Sequence, residues 1–373
     1  MKSLFVTMML FSIIFSPITA QTINPDKPGK GKWNLNQTQL WQTDSAGDHP
    51  LSSIQNVLIL PGGQLAALDN KEILIHLFSA DGQYIRSFGK GGEGPGEFKT
   101  LNQGQQIFSA GDQLIFSDTG RLQRFDLNGK FIAQTKIPAK LDPVAFLDND
   151  RFISAPGTSD QPNREIPLEI YDCRTENRRV LINFKPYEKA TATESDSRRT
   201  ITVAVVIGNI TPLMMAGANP KRIAFGMSDN YEISIIDLEG NPVNTFSVPD
   251  RKPKPVSHDF KERMKKRIGG NVPVDIINRI LDGLPPHASF YSDIRLLDND
   301  MVLVFVSDPD RQNGTTIDIF SPQGSFLYQA DFSAPPGHTI ENYELSGNRL
   351  FMATLDEEGY PYLTCYRIGW PEK

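Results

Sequence analysis

Five aspartates close short apolar runs along this 373-residue chain: Asp69, Asp118, Asp229, Asp308 and Asp356. Carboxylates suit acid–base chemistry and hard metal ions. Asp also accepts hydrogen bonds from the backbone N–H groups that follow it, and so nucleates turns. Turn formation is the plainer reading of all five. Asp308 to Gly314 resembles a calcium loop, but its glycine falls at position seven rather than six and no glutamate stands at twelve. Gly89 to Gly94 formally matches GxGxxG. A dinucleotide site needs that turn to open a helix, whereas here Pro95-Gly96 and a further strand pattern follow. His49, His76, His258, His287 and His338 lack paired ligand spacing, and there is no GxSxG elbow.

The basic residues are more suggestive. Between 249 and 287, nine Lys/Arg stand against five Asp/Glu, in a chain whose net charge is −6. Lys265, Lys266 and Arg267 form the densest run, and Arg198 and Arg199 lie in a polar stretch from Lys185 to Thr202. One reading is a solvated surface resting on acidic neighbours; the other is a rim that attracts anions. The mild overall acidity argues against a nucleic-acid partner.

What positions these groups is a repeat. Short apolar runs end at turns such as LPGG, SAGD, LDND (twice) and LSGN, and a second run follows each at once: QLAALD, QLIFSD, RFISAP, RIAFGMSD, MVLVFVSD and RLFMATLD. Third and fourth runs follow around turns such as ADGQ, LNGK, LEGN and PQGS. Strand-length runs punctuated by Gly, Asp and Asn are antiparallel meanders. Six such units, the last with only three strands, predict an all-β, six-bladed β-propeller covering 33–373. An isolated strand from Trp33 to Thr43 should supply the missing fourth strand beside Cys365 and so close the ring. The surplus at 250–288 reads as a helical hairpin between blades 4 and 5, capped by Ser257, with Phe260, Met264 and Ile268 on one helix and Val274, Ile277, Ile280 and Leu281 on the other. Because strands alternate in direction, one face should collect the five aspartates, the Gly89 loop and both insertions. Cys173 and Cys365 fall in blades 3 and 6, too far apart to bridge, so two free thiols are expected.

Lys2, the apolar run Leu4 to Phe15 and the small residues up to Ala20 form the pattern of a secretory signal (1–20), cleaved after Ala20. A polar linker (21–32) would follow. No later run is long and apolar enough to span a bilayer. The expected location is secreted or periplasmic.

One unit carries a family likeness. Gly89 to Phe98, Asp118, Arg121 to Asp126 and Gly129 to Phe131 give GxGGxGPGxF, a strand pair ending in Asp, RxQxFD and xxGxF. This order resembles the NHL repeat, and the chain looks like a divergent NHL-like or TolB-like six-bladed propeller of exported bacterial type. Such propellers include binders, scaffolds, lyases and lactonases. The resemblance implies that a metal, if present, would sit at the channel mouth; the matching positions are Asn56, Asn209, Asp293, His338, Glu341 and Asn342. Their oxygen-rich chemistry would suit Ca2+ or another hard divalent ion, though such groups also line watery channels. The leading expectation is a binding or scaffold propeller presenting its loop face to a protein, peptide or glycan. The alternative is a metal-dependent hydrolase or lyase, lactonase-like, acting in the channel through Asp293 or Glu341.

Overall fold

The computed structural model describes residues 21–370 apart from 100–105, 119, 140, 156–164, 186–189, 196–199, 206–209, 211–212 and 269–271; for 190–195 and 200–205 it describes the backbone alone. The expected signal segment lies outside the described residues. Six antiparallel meanders follow one another as the blades of a six-bladed β-propeller. Their first strands are Ile54–Ile59, Ile107–Ala110, Pro143–Phe146, Met214–Ala218, Tyr291–Leu296 and Thr339–Ser346. These pack together around the axis. Second strands such as Leu65–Asp69 and Val302–Val306 are buried almost throughout, because neighbouring blades cover both faces. A fourth strand such as Phe131–Lys136 alternates between exposed and half-buried positions, as an outer strand should.

Closure follows the expected route. Thr38–Thr43 pairs antiparallel with Pro361–Arg367, setting Trp41 opposite Cys365. Trp41 meets Phe351 edge-on at 5.5 Å within blade 6 and Phe78 at 6.4 Å in blade 1, and its indole N–H donates to the Ala80 carbonyl at 3.2 Å. One side chain thus joins the last blade to the first. The same contact recurs around the ring. Gly82, at φ +87°, lies against the Trp41 indole, and Gly129, at φ +77°, against the Phe88 ring of the preceding blade. A Cβ at either position would fall within 2.5 Å of an aromatic carbon. The turn glycine therefore serves both a left-handed backbone and a close approach between blades.

Residues 21–34 do not form a linker. Gln21–Ile23 pairs in parallel with the outer strand of blade 4, Pro242–Ser247, and Lys32–Asn34 with the outer strand of blade 5, Phe326–Ser333. Trp33 therefore belongs to blade 5, and the closing strand begins only at Thr38. Buried Asn24 anchors this strap: its amide donates to the Gly324 carbonyl (2.8 Å) and accepts from Phe326 N–H (2.8 Å). Covering two outer edges protects them from adventitious pairing.

The insertion forms two helices, α1 (His258–Ile268) and α2 (Val274–Asp282). The Ser257 hydroxyl accepts the Phe260 N–H, as a cap should. Phe260, Ile277, Leu281, Leu284 and Ala288 bury a small core of their own with Ile210. On α2 the buried face is Ile276, Ile277, Ile280 and Leu281, while Val274, expected there, is 57% exposed at the helix start. Both cysteines are free, and burial pushes the Cys365 thiol up to about 11.

Candidate functional site

The loop face is held by a device repeated in every blade. A buried polar side chain near the end of the second strand fastens the chain coming in from the previous blade. Asp69 accepts Ser52 N–H (2.8 Å) and the Ser52 hydroxyl (2.6 Å), and Asp118 accepts Lys99 N–H (2.9 Å). Ser154 accepts Asp142 N–H, and Ser228 accepts Leu213 N–H. Ser307 meets Ser289, and Thr354 meets His338. Asp308 and Asp356, one or two residues further on, take backbone N–H groups of their own turns. Burial works against the Asp69 charge, yet hydrogen bonds from His76 and Ser52 outweigh it and hold the carboxyl well below its usual range. These aspartates build the scaffold.

The Gly89 loop is scaffold too. Buried Arg121 ties together Asp118 and the carbonyls of Gly92, Glu93 and Glu97, and Gln123 holds the Glu97 carbonyl and Gly96 N–H. The loop N–H groups of Gly92 and Gly94 go to Phe98 and Glu97, so they are not turned outward to cradle a phosphate.

Three of the expected channel-mouth residues share one structural position. Asn56, Asp293 and Asn342 each follow a bulge in a first strand. Asn342 accepts Val57 N–H and Asn56 accepts Ile107 N–H, each at 3.3 Å, lacing blade 6 to blade 1 and blade 1 to blade 2. Asp293 is paired with Arg295 at 3.0 Å. The other side of that guanidinium holds Glu344 at 2.7 Å, and Phe305 and Tyr343 lie 5.1 and 5.6 Å from it. Burial raises the Glu344 carboxyl above its usual range against the pull of Arg295. His338 is spent on Thr354 and packs edge-on to Tyr362. Asn209, Arg198 and Arg199 lie outside the described residues. Among the described residues, no three His, Cys, Asp or Glu side chains gather as a metal-binding set. Among the described channel-mouth groups, Asn56 and Asn342 spend their amide oxygens on backbone N–H groups of neighbouring blades and Asp293 its carboxylate on Arg295.

What the face does offer is a cleft of about 790 Å³ between α1 and the rims of blades 5 and 6. Arg263, Lys266 and Arg267 line it from α1, Arg311 from blade 5, and Glu341 and Tyr343 from blade 6. Arg263 holds the helix down through Asp310 (3.1 Å) and the Pro309 carbonyl (2.8 Å), and Ser257 adds a 2.6 Å bond to Asp310. Arg311 is committed to Asp331 at 2.6 Å. Among the described residues, exposed Lys266 and Arg267 have no partner. The calcium-like loop is therefore the seat of α1, and the lid it carries presents two free cations to an open cleft. Of the expected residues, Glu341, Lys266 and Arg267 meet in this cleft; Lys265 lies on α1 but does not line it. Arg263 and Arg311 were missed. Arg263 stands three and four residues before Lys266 and Arg267, the spacing of one helix face, which was the available signal.

Residues 43–202 match the DUF5128 family, described as a 6-bladed beta-propeller. A solved protein of the DUF4221 family from Bacteroides vulgatus is 10% identical, covering 90% of this chain and 99% of its own, at a TM-score of 0.56. A candidate exported protein from Bacteroides fragilis is 13% identical, covering 94% and 99%, at a TM-score of 0.52. At such identities the likeness concerns the fold alone. No curated protein matches the chain. No helix among the described residues is long and apolar enough to cross a membrane.

Proposed function

We propose that this protein is an exported binding propeller that holds an anionic group of a protein, peptide or glycan in the cleft beneath α1. The observation that carries the reading is the pair Lys266 and Arg267, exposed in a concave space without a partner among the described residues, on a chain of net charge −6. Free cations in a cleft concentrate an oppositely charged ligand, and loops on a rigid ring are where binding usually sits. The Arg121 and Gln123 clasp on the Gly89 loop supports reading that unit as NHL-like. The signal-like first twenty residues and the candidate exported relative support export. Of the two residues on which the hydrolase alternative rests, Asp293 is paired with Arg295, and Glu341 lines the same cleft as the cations.

Immobilised protein should retain material from an envelope extract that a Lys266→Glu/Arg267→Glu variant does not, and moderate salt should release it. Equal retention by the two would refute the site. N-terminal sequencing of protein recovered from the producing cell should begin at Gln21; finding Met1 intact would refute export.

A further inference from the structure

The cleft under α1 has a neighbouring cavity. A second cavity, of about 600 Å³, lies between the N-terminal strap, the segment 251–254 and blade 5, and Asp308 lines both. Together they are lined by nine Lys/Arg against three acids, Asp26, Asp308 and Glu341. In the second cavity exposed Lys27 and Lys252 have no partner among the described residues, and Lys254 reaches Asp308 only at 3.9 Å. Its walls are fixed from below. Buried Asp318 holds Arg251 at 2.9 Å, Tyr231 at 2.6 Å and Gln329 at 2.9 Å, and Arg251 in turn binds Asp26 of the strap. The strap lysines thus stand on a rigid base rather than on a loose tail.

We infer that the two cavities form one docking trough for an extended acidic peptide segment of a partner protein, with the strap as its second wall. This rests on the reading that the cleft binds a ligand. Charge complementarity sets the sign of the occupant. The apolar lining sets its kind: Phe260, Met264, Ile340 and Leu355 in the cleft, and Phe290 and Val306 in the second cavity, line the same walls as the cations. A segment carrying both acidic and apolar side chains matches that mixed lining. A sugar chain gains most from an aromatic face left open for stacking. The Tyr343 ring has Phe305 stacked at 5.3 Å, Arg295 at 5.6 Å and Phe332 edge-on at 5.0 Å.

The test uses fluorescence anisotropy with the chain from Gln21 onward and a labelled peptide of about ten residues alternating Glu and Leu, against its Lys/Leu counterpart and polygalacturonate. The Glu/Leu peptide should bind, lose affinity as salt rises, and bind about tenfold more weakly to either Lys27→Glu/Lys252→Glu or Lys266→Glu/Arg267→Glu. All four positions are exposed, so thermal unfolding should be unchanged in both variants. If only the Lys266→Glu/Arg267→Glu variant weakens binding, the trough is overturned while the cleft survives. Tighter binding of polygalacturonate would overturn the peptide assignment, and no peptide binding to the parent chain would overturn the inference outright.

Discussion

Asp69 shows how a residue that invites a catalytic reading can belong to the frame. Its carboxylate takes Ser52 and Ser53 N–H, the Ser52 hydroxyl and the N–H groups of Lys71 and Glu72, all from loops that must meet above blade 1. Because its folded pKa lies below the unfolded value, its contribution to stability is full above the ordinary carboxylate range and is lost as pH falls through that range towards the folded value. Asp69→Asn should therefore cost about 1–3 kcal/mol at neutral pH, with the gap in urea midpoints to the parent narrower at pH 3 than at pH 7. A constant gap at both pH values would mean that the charge is not what matters. Arg121 is the companion case. Truncating this buried cation to Met removes the charge partner of Asp118 and a donor to three loop carbonyls, and should cost about 3–5 kcal/mol by equilibrium denaturation.

At the scale of elements, turn chemistry was the most legible part of the sequence. The repeated Gly after the third strand read correctly as a turn, because Asp-x-x-Gly needs a left-handed residue. Its second role, lying under an aromatic ring of the previous blade, was not legible, since that contact joins units far apart in sequence. Gly129→Ala forces both the backbone and the Phe88 ring, and should destabilise by more than about 1 kcal/mol on thermal or urea unfolding. The aspartate pattern marked turns, as read, but not the fastening group of every blade. In blades 4 to 6 the fastening group is Ser228, Ser307 or Thr354, and a hydroxyl leaves no conspicuous spacing beside the aspartate one or two residues on. Residues 21–34 were the largest miss. Parallel edge pairing puts Thr22 beside Phe246 and Trp33 beside Ala330, so nothing local in the strap announces its partner.

For the whole molecule, the fold was written in the periodic strands, and the site was not. A closed ring of meanders needs only local patterning and one long-range pairing, Trp41 beside Cys365. The cleft under α1 arises where an insertion, a blade loop and the start of another blade's first strand converge, and each is unremarkable alone. The charge excess of the insertion was visible, but not which cations would be spent. Arg263 and Arg251 hold the lid and its root, while Lys266 and Arg267 have no partner among the described residues. The most direct test of this division of labour is hydrogen exchange on the protein with and without its captured ligand. The account predicts that ligand slows exchange in α1 and in the 308–314 loop and leaves the opposite face, at 147–151, unchanged. Protection confined to 147–151, with α1 untouched, would contradict it.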